Sequence, residues 1–126
     1  MPVSKSAPKF LNLFQIKLPV GGIASIGHRA SGVLMFAATP LLAWLLALSL
    51  RSADDFARVQ SWLHSPVVTA LSVVLVWSLS HHLLAGVRHL LLDLEVGTSL
   101  RAARSTAWTV NIGALLLTGW YLAVRL

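Results

Sequence analysis

The residues best equipped for chemistry lie in SLSHHLLAGVRHLLLD, Ser78 to Asp93, where histidines, an arginine and an aspartate interrupt a run apolar enough for a bilayer. Ionisable side chains are expensive in hydrocarbon, so they mark function first. On a helix of about 100° per residue, Gly86, His89 and Asp93 fall at roughly 40°, 340° and 20° from His82, one narrow stripe. Ser78 lies on its continuation, and Arg88 points well to the side. Gly86, one turn from His82, withholds a side chain where a flat macrocycle would approach the backbone. The stripe therefore suits a haem seat, with a neutral imidazole as axial ligand and its second ring nitrogen needing a hydrogen-bond acceptor. The same imidazole could instead bond helix to helix as structural glue.

His82 has no obvious opposite ligand in this chain. His89 is displaced by roughly 10 Å of helical rise, His81 points about 100° away, and His64 belongs to the other membrane face. His28 is expected near the inner surface, with His82 deeper. A bis-histidine iron would take its second ligand from another chain.

SIGHRASG, Ser25 to Gly32, is the second constellation. If helical, it puts Ser25, His28, Arg29 and Gly32 on one face. A hydroxyl, an imidazole and a guanidinium beside lipid suit a ligand with an apolar body and polar oxygens. Ser25 and Arg29 can donate to a carbonyl, and Arg29 can stabilise charge that develops on reduction. His28 or Arg29 could equally pair a haem propionate, or Arg29 could simply snorkel to headgroups.

The elements that must position these residues are apolar spans. Hydrophobic residues make up 56% of the 126 and charged residues 11%, with a mean hydropathy of +0.77; a soluble domain carries about a quarter charged residues. The fold class expected is an all-α membrane protein, a single domain over residues 1–126 with three transmembrane helices at about 24–50, 66–92 and 105–124. Pro40 falls inside the first and is expected to kink it. The polar connections RSADDFARVQSW and Asp93 to Arg104 join the spans. Met1 to Ile23, with Lys5, Lys9 and Lys17, is expected to form an irregular surface arm in which LNLFQI docks on a neighbour or among headgroups.

The net charge of +6 does not point to nucleic acid, because the basic residues flank spans rather than cluster on a soluble face. Lys5, Lys9, Lys17, Arg29, Arg88, Arg101 and Arg104 fall on one side, and Arg51, Arg58 and Arg125 on the other. The positive-inside rule then puts the N-terminus on the cytoplasmic side, with both constellations at that face. Trp62, Trp120 and Tyr121 are expected at the opposite interface, and Trp108 at the inner one. With no cysteine, iron–sulfur ligation and cysteine-bound zinc are excluded within this chain, leaving histidine or carboxylate for any metal. No secretory signal pattern is visible, and the lack of a transit-like leader favours a bacterial inner membrane over a mitochondrial one.

SIGHRASG and HLLAGVRHLLLD, in that order at the ends of two spans, resemble the cytochrome b large membrane-anchor subunit of succinate dehydrogenase, respiratory complex II. The likeness extends loosely over the three-span plan, the basic arm and the LP at Leu18 and Pro19. It implies haem b ligated by His82, with the other axial histidine supplied by a small membrane-anchor subunit. It implies a quinone site at Ser25 and Arg29, haem propionates near His28 and Arg29, and Asp93 near the quinone pocket. Ubiquinone would be the substrate, and an iron–sulfur subunit and a flavoprotein subunit the further partners. Gly27 departs from the family, which usually has a bulkier aliphatic residue there. Competing readings are a fumarate reductase anchor, a non-redox structural membrane subunit and a small transporter; the last predicts broken helices or a repeat, and neither is visible.

Overall fold

The computed structural model describes residues 18–125. The basic arm with Lys5, Lys9 and Lys17, including LNLFQI, lies outside the described residues. Four helices follow one another: α1 (Val20–Ser49), α2 (Ala53–Leu63), α3 (Pro66–Asp93) and α4 (Leu100–Arg125). Among the described residues, α1, α3 and α4 are long and apolar enough to cross a membrane. The expected all-α, three-span class is observed.

α1 starts earlier than expected. Pro19 is its N-cap, and its carbonyl accepts from the amides of Gly22 at 2.8 Å and Ile23 at 3.1 Å. Gly21, Gly22 and Ile23 are therefore helical rather than part of an irregular arm. A proline with φ near −65° is already set for helix entry. α1 continues through Pro40 to Ser49 as one element.

The largest difference lies in the first connection, which is a helix, α2. Ser52 caps it by accepting from the Asp55 amide at 3.1 Å, and Asp54 and Asp55 occupy its first turn, where the helix dipole favours acids. Val59 is its buried residue, and Trp62 stacks on Trp44 of α1 with centroids 6.2 Å apart. α2 thus folds back on α1 at the end away from both sequence constellations.

α3 begins with Ser65 as cap and Pro66 in the first turn and keeps its expected boundaries to within a residue. Its C-terminus is a Schellman motif: the Val96 amide bonds the Leu91 carbonyl at 2.9 Å and the Glu95 amide bonds Leu92 at 3.0 Å. The motif needs a left-handed residue after the cap, usually glycine; here Glu95 holds it at φ 61°. α4 then starts at Leu100, before the expected Ser105, because the polar turn bearing Arg101 and Arg104 is already helical.

α3 packs on both α1 and α4, more extensively than those two pack on each other. Its buried residues are Ser78, His81, Ala85 and Arg88; those of α4 are Ala107, Val110, Ala114 and Thr118, and those of α1 are Ala24, Ser31 and Leu48. Small residues dominate this list because membrane helices associate by close backbone approach, lipid being as apolar as leucine. At the far end the Tyr121 and Ser72 hydroxyls pair at 2.7 Å, and Arg125 donates to the Leu63 carbonyl of α2. Trp62, Trp120 and Tyr121 therefore share the end opposite His28, His82 and His89.

Candidate functional site

α3 carries two stripes side by side. Ser78, His81, Ala85 and Arg88 face the other helices and are buried. His82, Gly86 and His89 lie around the helix from them and are half-buried, while Asp93 is exposed. The expected stripe is thus present, but Ser78 belongs to the packing face, where its hydroxyl donates to the Val74 carbonyl at 2.8 Å.

His82 meets α1 at SIGHRASG. Its Nδ1 lies 3.1 Å from the His28 carbonyl oxygen and 3.3 Å from Ser31 Oγ. Ser31 Oγ itself donates to the same carbonyl at 2.8 Å, so its lone pairs remain free to accept. Both neighbours accept from a protonated Nδ1, and that tautomer leaves Nε2 as a bare lone pair. Gly32 makes the approach possible, since a Cβ there would stand 3.0 Å from His82 Cε1. Ser31 was not singled out from the sequence and Gly32 only as part of a face; the signal was the small residues Ser31 and Gly32 shortly after His28 and Arg29.

His28 is not remote from His82, as its expected depth suggested. The packing of α1 on α3 brings the rings into a stack, centroids 4.1 Å apart and planes 16° apart. His89 lies on the other side of His28 at 5.2 Å, with planes 54° apart. His28 Nε2 fills the notch at Gly86, 3.4 Å from where a Cβ would be. Stacked rings leave no room for a macrocycle between them, so His28 cannot oppose His82 on one iron, for a different reason from the one the sequence suggested. Among the described residues no set of histidines and acids converges to chelate a metal ion.

Ser25 and Arg29 sit one turn apart on α1, Ser25 half-buried and Arg29 exposed. The helix containing them begins early enough to make one face of Ser25, His28, Arg29 and Gly32. Asp93 closes the last turn of α3, against the preference of the helix dipole for cations there. Among the described residues the ion pair formed is Arg58 with Asp55, at 3.3 Å, remote from this end. Arg88, set aside by its direction, points inward to α4: Nε donates to Thr106 Oγ1 and Nη2 to the Ala103 carbonyl, each at 3.2 Å.

Residues 4–120 match the family of succinate dehydrogenase/fumarate reductase transmembrane subunits. This chain belongs to that family. Among its relatives, the succinate dehydrogenase cytochrome b556 subunit of Coxiella burnetii is 35% identical over 83% of this chain and 85% of its own length. The subunits of the same name from Rickettsia felis and Paracoccus denitrificans are each 32% identical, over 81% and 80% of this chain and 79% and 78% of theirs. The chain is thus a multi-pass membrane subunit of the succinate dehydrogenase/fumarate reductase family.

Proposed function

We propose that this chain is the haem b-binding membrane anchor of a succinate:ubiquinone oxidoreductase in a bacterial inner membrane, with its N-terminus on the cytoplasmic side. In this reading it docks the iron–sulfur and flavoprotein subunits and forms part of the ubiquinone-reduction site. The observation that carries the reading is the anchored imidazole of His82. Its Nδ1 is held by the His28 carbonyl and Ser31, which fixes ring orientation and raises the basicity of Nε2, as ligating histidines require. The donor chemistry fits haem iron: an oriented imidazole on a half-buried face between two helices, where His28 and Arg29 would be the partners for propionates; the clearance expected at Gly86 is taken up by the His28 ring. A second histidine ligand would come from the small membrane-anchor subunit. When bound, the haem supplies one-electron redox capacity, whose potential the protein tunes through ligation, burial and nearby charge.

The quinone-facing work belongs to α1. Ser25 and Arg29 donate hydrogen bonds to the quinone oxygens, Arg29 offsets negative charge as electrons arrive from the iron–sulfur subunit, and the exposed end of the helix bundle admits the two protons that complete the quinol. Asp93, an acid at the same end without an ion-pair partner among the described residues, lies near that pocket.

The reading is tested by purifying the tagged chain from its own membrane in mild detergent and recording reduced-minus-oxidised spectra. A b-type haem band with co-purifying flavin is expected. A preparation with neither would defeat the proposal.

A further inference from the structure

His81, next to the proposed ligand, is 2% exposed and touches both other spans. Its Nε2 lies 3.1 Å from Asn111 Oδ1 on α4. Its ring lies flush on α1 at Gly27, where a Cβ would stand 2.6 Å from Cε1 and 2.8 Å from Nε2, the tightest approach at any glycine of the described residues. Nδ1 is buried and has no partner among the described residues. A buried polar atom left unpaired is destabilising, so apolar packing alone would favour leucine here.

The two neighbouring histidines grip α1 from both sides. Gly27 receives His81 and Gly32 receives His82; on α1 these glycines are about 140° apart around the helix, with Ser31 and His28 on the ridge between them. Successive residues of α3 diverge by about 100°, so the imidazoles straddle that ridge like a fork. Rotating α3 by one residue, about 100°, would bring His82 round to Gly27 and turn His81 away from α1. The surrounding apolar side chains do little to prevent this, because lipid penalises neither orientation.

We infer that His81 is a positioning residue: locked between Gly27 and Asn111, it fixes the rotation of α3 about its axis and thereby the aim of His82. The inference rests on the proposed role of His82 as a haem ligand and deepens it. Gly27 is then the complement that makes space for this histidine.

The test uses the whole complex purified from its native membrane, with histidine 15N-labelled. Two readouts are taken: the 15N signal of His82 Nδ1, which needs no haem, and the haem α band with the electron paramagnetic resonance g values of the oxidised form. His81→Ala and Gly27→Ala should both displace the His82 signal and the haem spectrum. His81→Gln, whose amide can still donate to Asn111, should keep both close to the unmodified complex. The double variant Gly27→Ala with His81→Ala should match His81→Ala alone, since removing the ring removes the clash. If Gly27→Ala does not assemble, recovery of assembly in the double variant supports the inference and failure to recover overturns it. Unchanged His82 signals in His81→Ala, with only a lower melting temperature, would overturn it in favour of plain packing. An unmodified complex without haem would sink the haem reading alone, because the 15N arm still decides whether His81 aims His82.

Discussion

The imidazole of His28 lies face to face with that of His82, centroids 4.1 Å apart, while the backbone carbonyl of the same His28 holds His82 Nδ1. One residue of α1 thus fixes the proposed ligand twice, by its side chain against the ring face and by its main chain at the ring edge. The carbonyl contact cannot be removed by substitution at His28, but the space for it can be taken away at Gly32.

Gly32→Ala should therefore weaken haem retention. The new Cβ would sit 3.0 Å from His82 Cε1 and 3.4 Å from Nδ1, so the ring must shift from its acceptors. Loss of such outer partners typically lowers metal affinity by about 10–100-fold. A haem-to-flavin ratio measured on the purified complex after dilution should fall, and a ratio equal to the unmodified complex would show that the ring has slack.

Ser25→Ala and Arg29→Ala should slow quinone reduction while sparing succinate oxidation by a soluble artificial acceptor. Each removes a donor to the quinone oxygens, and hydrogen bonds from a charged group are worth about 1.5–3 kcal/mol, so Arg29→Ala should be the more damaging. Parallel loss of both activities would point to faulty assembly rather than a quinone site.

Arg88→Leu should destabilise the bundle. Arg88 is 9% exposed, and its guanidinium ties α3 to Thr106 and Ala103 of α4; removing these charge-assisted bonds should cost about 1.5–3 kcal/mol. Thermal unfolding of the purified complex followed by circular dichroism should show a lower midpoint. Arg88→Lys should recover only part of it, because one ammonium cannot reproduce the spread of Nε and Nη2.

Glu95→Gly should stabilise. A left-handed non-glycine residue costs about 1 kcal/mol, and glycine at Glu95 keeps the Schellman bonds without that strain. The same unfolding measurement should give a higher midpoint; a fall would mean that the Glu95 side chain makes a stabilising contact.

The three spans were legible in the sequence because length and hydropathy alone decide whether a helix can cross hydrocarbon, and the stripe of His82, Gly86, His89 and Asp93 because helical geometry is fixed once the helix is. What was not legible was how each helix turns. In water an apolar face marks the inside; in lipid both faces are apolar, so nothing in the local pattern of α3 says that His81 and Arg88 point inward while His82 lies half outside. The small residues Ser78 and Ala85 were the available signal. The helix α2 was obscured by its polarity and shortness, although Ser52 followed by Asp55 was a capping pattern. The approach of His28 to His82 depends on how α1 leans on α3, a tertiary fact that Gly27 and Gly32 permit but do not announce.

The central claim, that His82 is the chain's haem ligand, is tested most directly by comparing His82→Ala with His64→Ala in the purified complex by reduced-minus-oxidised spectroscopy. His64 is an exposed imidazole at the C-cap of α2, its Nδ1 bonded to the Gln60 carbonyl at 2.8 Å, at the opposite end of the bundle. His82→Ala should abolish or distort the b-type haem band while His64→Ala leaves it intact; an unaltered band in His82→Ala, or equal loss in both, would contradict the assignment.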